Sequence, residues 1–175
     1  MGGAIAQWVA AEAPARVEGL ALLCPVPASG VPLPADAAAM FRGASERGTK
    51  AAILGMACTN LSEQARDRLL DSGASISAAC IAESFDAWSG ADFAARLGAI
   101  TARTLVVASD DPFLPPAFLR QTVTSKIAGA RLAVVRGAGH YVQVERPGET
   151  VAVLEAFLAG LGSTGPEGHG PQAMA

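Results

Sequence analysis

Three short apolar runs, VEGLALL, TLVVAS and RLAVVRG, constrain this chain more than any other feature. Each is bounded by turn signals, and each is followed by sequence of helical period. Strands separated by helices long enough to cross over a sheet pair in parallel. The expected class is therefore α/β, with about three parallel strands flanked by helices. A parallel sheet needs both faces covered, and three strands are few for that. The first element, AIAQWVAAEAP, is a helix with no strand feeding it. The chain thus reads as the second half of a larger fold.

In that first helix Ile5, Trp8, Val9 and Glu12 share helical spacing, and Pro14 ends it. Residues 31–100 differ from the rest. PLPADAAAMF, ERGTKAAILGMA, SEQARDRLLDSG and SISAACIAESFDAW are helical by composition and period, with Ser62 as an N-cap and Gly73 as a stop. Ile81, Phe85 and Trp88 fall on one face of the last of these. The insert contains no strand pattern. In PAFLRQTVTSKI, Leu119, Val123 and Ile127 share a face. The closing helix, PGETVAVLEAFLAGL, has Pro147 in its first turn and Val151, Leu154, Leu158 and Leu161 expected inward.

At 175 residues the chain has a normal size for one domain, and at 51% hydrophobic it has ample core material. A net charge of −3 without a basic patch argues against nucleic acid or a polybasic membrane role. No run is long enough to span a bilayer, and no charged-then-apolar leader precedes the first helix. Cys24, Cys58 and Cys80 have neither metal-ligand spacing nor a disulfide framework, so three buried thiols in a reducing, cytoplasmic setting are expected. Residues 162–175, rich in Gly and Pro and poor in large apolar side chains, are expected to be a disordered tail, with no role for its His169.

Sites in parallel α/β folds sit in loops after the C-terminal ends of strands. TLVVAS is followed by Asp110-Asp111-Pro112-Phe113-Leu114-Pro115, and RLAVVRG by Gly137-Ala138-Gly139-His140-Tyr141. A carboxylate and a histidine thus follow consecutive strands. A carboxylate that holds an imidazole's tautomer and stabilises its protonated form is the acid–base half of a nucleophilic triad. The glycines flanking Ala138 allow a sharp turn that presents the ring. Taken singly, Asp-Asp-Pro reads as a turn or cap and a lone His in a Gly-rich loop as solvated. Their pairing in chain order is what points to catalysis. A nucleophile in G-x-S-x-G is absent: Gly73-Ala74-Ser75-Ile76-Ser77 and Gly43-Ala44-Ser45-Glu46-Arg47 lack the second glycine and lie in the insert. Cys24 follows a strand but precedes Pro25, and reads as a buried thiol.

The chain resembles the α/β-hydrolase fold family along nearly its whole length. Members commonly read G-H-S-M-G-G at the nucleophile elbow, and Met1-Gly2-Gly3 match the last three positions. LALLCPVPASG is similar to the sixth strand and its exit loop. GAGHYVQVERPGETVAVLEAFL is similar to the histidine loop and final helix. The resemblance implies a partial α/β-hydrolase fold: residues 1–30 begin the core, 31–98 form a helical cap between the first two strands, and 99–161 complete the core. It implies His140 as general base and Asp111 as acid, since Asp-x-x-x-Pro is common there. The backbone N–H of Met1 would be an oxyanion donor. Gly2 would be required by the tight turn and Gly3 by close packing of helix on sheet. Phe41, Phe85 and Trp88, with Met40, are candidates for an apolar pocket wall or plain cap core. The family's proline before the seventh strand is Arg103 here. The acid loop is about one residue short, which leaves Asp110 as a rival. By the resemblance the serine would precede Met1, and roughly 100 residues at ordinary element lengths would lie upstream.

The expected function is that of a C-terminal portion of an esterase- or lipase-like serine hydrolase acting on a small apolar ester. No cofactor or metal is implied. The isolated chain is expected to be inactive, with losses on the order of a million-fold. It is also expected to be poorly stable or self-associating through an exposed sheet edge. The alternative is a catalytically dead relative that binds a partner or an apolar ligand. A nucleotide-binding domain is disfavoured, since neither G-x-G-x-x-G nor a P-loop occurs. Among the family's chemistries, from esterases to epoxide hydrolases, dehalogenases, haloperoxidases, carbon–carbon hydrolases and acyltransferases, the fold does not choose.

Overall fold

The run RTLVVAS becomes β2, Arg103–Ser109, buried at every position after Arg103. A strand covered on both faces is a continuous apolar run, and this one is the middle of a three-stranded parallel sheet ordered β1-β2-β3. β1 is Gly19–Leu23 and β3 is Arg131–Val135. Gly19 pairs with Arg103 on one side, and Leu105 with Arg131 on the other. The computed structural model describes residues 1–162. The expected tail therefore lies outside the described residues except for Gly162, which ends the last helix.

Alternation along β2 divides the core. Val106 and Ala108 pack with Ala10 and Ala11 of α1 (Gly2–Glu12) and with Leu119 and Val123 at α6 (Pro116–Thr122). Leu105 and Val107 face the opposite way, onto Val142 of α7 (Val142–Glu145) and Phe157 of α8 (Pro147–Gly162). Helices thus cover both faces. Leu20 and Leu22 of β1 lie on the α1 side. Cys24 continues their parity yet packs on the α8 side, because its backbone turns through φ 40°. That left-handed turn is strained for a side-chain-bearing residue.

Between β1 and β2 stand α2 (Ala35–Arg42), α3 (Arg47–Ala57), α4 (Glu63–Ser72) and α5 (Ala78–Ser89). Ser62 caps α4 by accepting from the Ala65 N–H at 3.2 Å, and Gly73 ends it. No helix among the described residues is long and apolar enough to cross a membrane.

Two expected stripes are rotated. On α1 the inward residues are Ala4, Gln7, Ala10 and Ala11, while Ile5, Trp8 and Val9 are exposed. Small side chains let this helix approach the sheet closely, and the large ones stay outside. Gln7 is buried and its Nε2 donates to the Gly3 and Val26 carbonyls at 2.9 Å each. On α8 the inward line runs through Thr150, Leu154, Phe157 and Leu161, with Val151 and Leu158 exposed. Thr150 can point inward because its hydroxyl donates to the Arg146 and Val142 carbonyls at 2.8 and 3.1 Å. The thiols also differ from expectation: Cys24 is buried, Cys58 half-buried and Cys80 exposed. Cys80 sits in the first turn of α5, whose outer face is open.

Candidate active site

The register Ser109↔Val135 ends β2 and β3 side by side, so their exit loops meet. The Asp110 N–H donates to the Ala138 carbonyl at 2.9 Å and locks the loops together. Gly137 turns its loop at φ 71°, a conformation that favours glycine. Beyond these turns lie the two residues that the strand order places together.

Asp111 Oδ2 lies 2.7 Å from His140 Nδ1, with the aspartate side chain 0% and the histidine side chain 33% exposed. The other Asp111 oxygen accepts from the Phe113 N–H at 2.8 Å. An ionised carboxylate can only accept, so Nδ1 carries the proton and Nε2 is left as the basic nitrogen. Among the described residues, no side chain hydrogen-bonds Nε2. Asp110 points elsewhere, accepting from the Gly137 N–H and from Arg136 at 2.8 Å each. The Gly137 N–H first, then Arg136, hold its carboxyl below the ordinary carboxylate value. Its partners make it a turn staple, and the geometry leaves Asp111 as the residue on the imidazole.

A residue that reads as ordinary in the sequence fastens this site. Glu145 is buried, and one oxygen accepts from the Gly139 N–H at 3.0 Å. The other accepts from the N–H groups of Thr59 and Asn60, at 2.8 and 2.6 Å. The His140 N–H donates to the Ala57 carbonyl at 2.8 Å. The α3–α4 loop therefore lies directly on the histidine loop. Only glycine fits at 139, since a Cβ there would stand 2.1 Å from the Ala57 oxygen. Burial, then the Glu145 charge, pushes the Cys58 thiol up to about 12. Beneath the loops, Ser109 donates to the Gly139 carbonyl at 2.7 Å, and Cys24 Sγ lies 3.2 Å from the serine oxygen. Burial pushes the Cys24 thiol up to about 11, consistent with an inert thiol. Glu145 lies within the stretch that resembles the family's histidine loop, but nothing in the residue's identity marked it as the acceptor that fastens that loop.

His140 opens onto a cavity of about 530 Å³ between this edge of the sheet and α2–α5. Phe41, Trp88, Phe113 and Tyr141 line it, as does Met1 at the start of α1. Burial raises the Tyr141 phenol above its ordinary value, and its ring meets the His140 ring edge-on at 5.5 Å. Phe85 does not line the cavity. It is buried behind the wall, stacked on Phe41 with ring centroids 5.9 Å apart and edge-on to Trp88 at 5.0 Å. Met40, on the same helix as Phe41, is not on the wall either. The packing of α2 against α5 thus claims Phe85, whose position at the centre of the α5 stripe leaves it no open side. A Cβ at Gly3 would meet Pro25 at 2.6 Å, so α1 does approach the β1 exit loop closely. At Gly2 a Cβ would meet nothing within 4 Å among these residues. Among the described residues no group of His, Cys, Asp and Glu could hold a metal ion.

The model of the alpha/beta hydrolase family matches residues 1–153. Among solved structures, Est816, described as an N-acyl homoserine lactone degrading enzyme, is 29% identical with a TM-score of 0.71, the match covering 89% of this chain and 64% of that one. A bromoperoxidase from Bacillus anthracis is 18% identical with a TM-score of 0.78, over 90% of this chain and 64% of that one. A thermophilic esterase from Thermogutta terrifontis is 22% identical with a TM-score of 0.68, over 91% of this chain and 62% of that one. The last two likenesses show the fold alone. In each case the chain spans less than two thirds of the solved protein's length. No curated protein sequence matches the chain.

Proposed function

The chain belongs to the alpha/beta hydrolase family, and from that premise we propose that His140 and Asp111 are the general base and orienting acid of an esterase-type hydrolase acting on a small apolar ester. The observation that carries this reading is the 2.7 Å contact from a buried Asp111 to His140 Nδ1, at the mouth of a largely apolar cavity. The nucleophile in this reading is a serine directly upstream of Met1, supplied by sequence outside these 175 residues. The presence of Met1 on the wall of the His140 cavity supports that placement.

The serine oxygen attacks the ester carbonyl while its proton passes to Nε2 of His140. Asp111 keeps the ring in the required tautomer and stabilises the imidazolium. Within the longer chain the Met1 nitrogen becomes a peptide N–H, which donates to the developing oxyanion. His140 then protonates the departing alcohol, which leaves an acyl-serine. Water gives its proton to the same nitrogen and attacks the acyl carbon; His140 returns that proton to the serine oxygen as the acid is released.

The test compares the 175-residue chain with the same chain extended by its in-frame upstream coding sequence, assayed on short-chain nitrophenyl esters. The extended protein is expected to turn them over and the 175-residue chain is not. Loss of turnover in His140→Ala supports the reading. An extended protein that is folded, binds an apolar ligand and hydrolyses none of these esters would overturn it in favour of a binding protein.

A further inference from the structure

The cavity beside His140 has two chemically different ends, and we propose that the far end, at Lys50, receives the anionic group of an amphipathic ester or acyl substrate. This inference rests on the reading of the cavity as the substrate site. Lys50, Ile53, Leu54 and Ala57 all line it. They fall at i, i+3, i+4 and i+7 of α3, one continuous face. At 1.5 Å of rise per residue, Lys50 and Ala57 stand about 10 Å apart along the helix. The Ala57 carbonyl takes the His140 N–H, so the Ala57 end is the reacting end. Ile53 and Leu54 make the wall between the two ends apolar.

Lys50 Nζ donates to the Gly73 carbonyl at the end of α4. An ammonium has three donors, so this bond leaves two. Arg42, Arg47, Arg96 and Arg136 each pair with a carboxylate, and Lys50 pairs with none among the described residues. No aspartate or glutamate lines the cavity. An unneutralised cation on an apolar wall attracts an anion more strongly than one at open surface, because the local dielectric is lower. The occupant that satisfies both ends has a hydrolysable carbonyl at one end, a carboxylate at the other and an apolar chain between them. Such a molecule is a half-ester of a medium-length dicarboxylic acid, or an acyl compound of the same outline.

Calorimetric titration of the 175-residue chain with monomethyl sebacate and dimethyl sebacate, at pH 7 and low salt, tests this. The two ligands share one length and differ by one negative charge. The half-ester is expected to bind about tenfold or more tightly, the scale of a charge-assisted hydrogen bond. Lys50→Met should abolish the preference and Lys50→Arg should keep it. Monomethyl succinate, too short to span α3, should show no gain over its diester. Met1, which carries the α-amino group of the 175-residue chain, also lines the cavity, and the Lys50 variants separate the two cations. Equal affinities, or a preference that survives Lys50→Met, would overturn the inference while leaving the cavity as the substrate site. Lys50→Met that is less stable but keeps the preference would make Lys50 a clamp between α3 and α4 and nothing more. Binding of neither sebacate would overturn the cavity reading together with this one.

Discussion

His140 Nδ1 stands 2.7 Å from Asp111 Oδ2, while the adjacent Asp110 faces away to Arg136 and the Gly137 N–H. Two neighbouring aspartates therefore make opposite predictions. In the upstream-extended protein, Asp111→Asn should lower kcat on nitrophenyl esters by about 10³–10⁴-fold, because the amide supports the wrong imidazole tautomer. Asp110→Asn should leave kcat/KM near the wild-type value. Steady-state kinetics on the two variants decides between them, and a large loss in Asp110→Asn would reverse the assignment.

Glu145 ties the histidine loop to the α3–α4 loop through three backbone N–H groups. Glu145→Ala leaves those donors without their acceptor, and Gly139 is buried. A loss of about 2–4 kcal/mol is expected in urea unfolding of the 175-residue chain. Amide exchange should quicken at Gly139, Thr59 and Asn60 before it quickens in β2. Unchanged protection at these three amides would show that the loops are held by other contacts.

Stability should fall in alkali. The Cys24 and Cys58 thiols are pushed up from 9.0 to about 11 and about 12 in the folded chain. Between pH 9 and these values the unfolded chain loses thiol protons that the folded chain keeps. The unfolded state then binds fewer protons, so the free energy of unfolding decreases as pH rises. The contribution is fully present below pH 9 and declines above it. Denaturation midpoints at pH 7, 9 and 10 should show this decline, and Cys58→Ala should reduce it. Exposed Cys80 should react with a thiol reagent at pH 8 in the folded chain, with Cys24 following only on unfolding.

The paired glycines at the start of α1 separate just as cleanly. A Cβ at Gly3 meets Pro25 at 2.6 and 2.7 Å, whereas one at Gly2 meets nothing within 4 Å. In the 175-residue chain Gly2→Ala should be neutral or stabilise by up to about 1 kcal/mol, as expected for alanine in a helix. Gly3→Ala should destabilise by about 1–3 kcal/mol through overpacking. Thermal midpoints of the two variants check the contrast.

These particulars show what could be read from sequence alone. β2 is legible because a strand buried on both faces is a continuous apolar run, and TLVVAS has no other economical reading. Asp111 and His140 are legible because strand order brings their loops to one edge. The α1 and α8 stripes are not, because apolarity marks what can be buried and size decides what fits. Alanines face the sheet in α1, and a hydroxyl-satisfied Thr150 takes an inward place in α8. Glu145 is invisible for a related reason. Its partners are backbone N–H groups, which leave no trace in residue identity. Lys50 likewise owes its position on the cavity wall to the way α3 lies across the sheet edge.

Self-association is the remaining consequence of the fold. Among the described residues β1 pairs with β2 alone, so its other edge offers unpaired N–H and C=O groups. On the α1 face of the sheet Ile5 and Val9 are exposed. On the other side α8 exposes Val151 and Leu158, the latter at 58%. An open strand edge, on a sheet whose covering helices expose apolar side chains, is a template for another strand. The 175-residue chain is therefore expected to sediment as a concentration-dependent mixture, with a broad denaturant transition. Ile5→Lys together with Val9→Lys places charge on the exposed face of α1 and should shift the mixture toward monomer. The same pair should leave sebacate affinity unchanged, since neither residue lines the cavity. A monomer at all concentrations with a sharp cooperative transition would sink this idea and would mean that β1 is a stable natural edge.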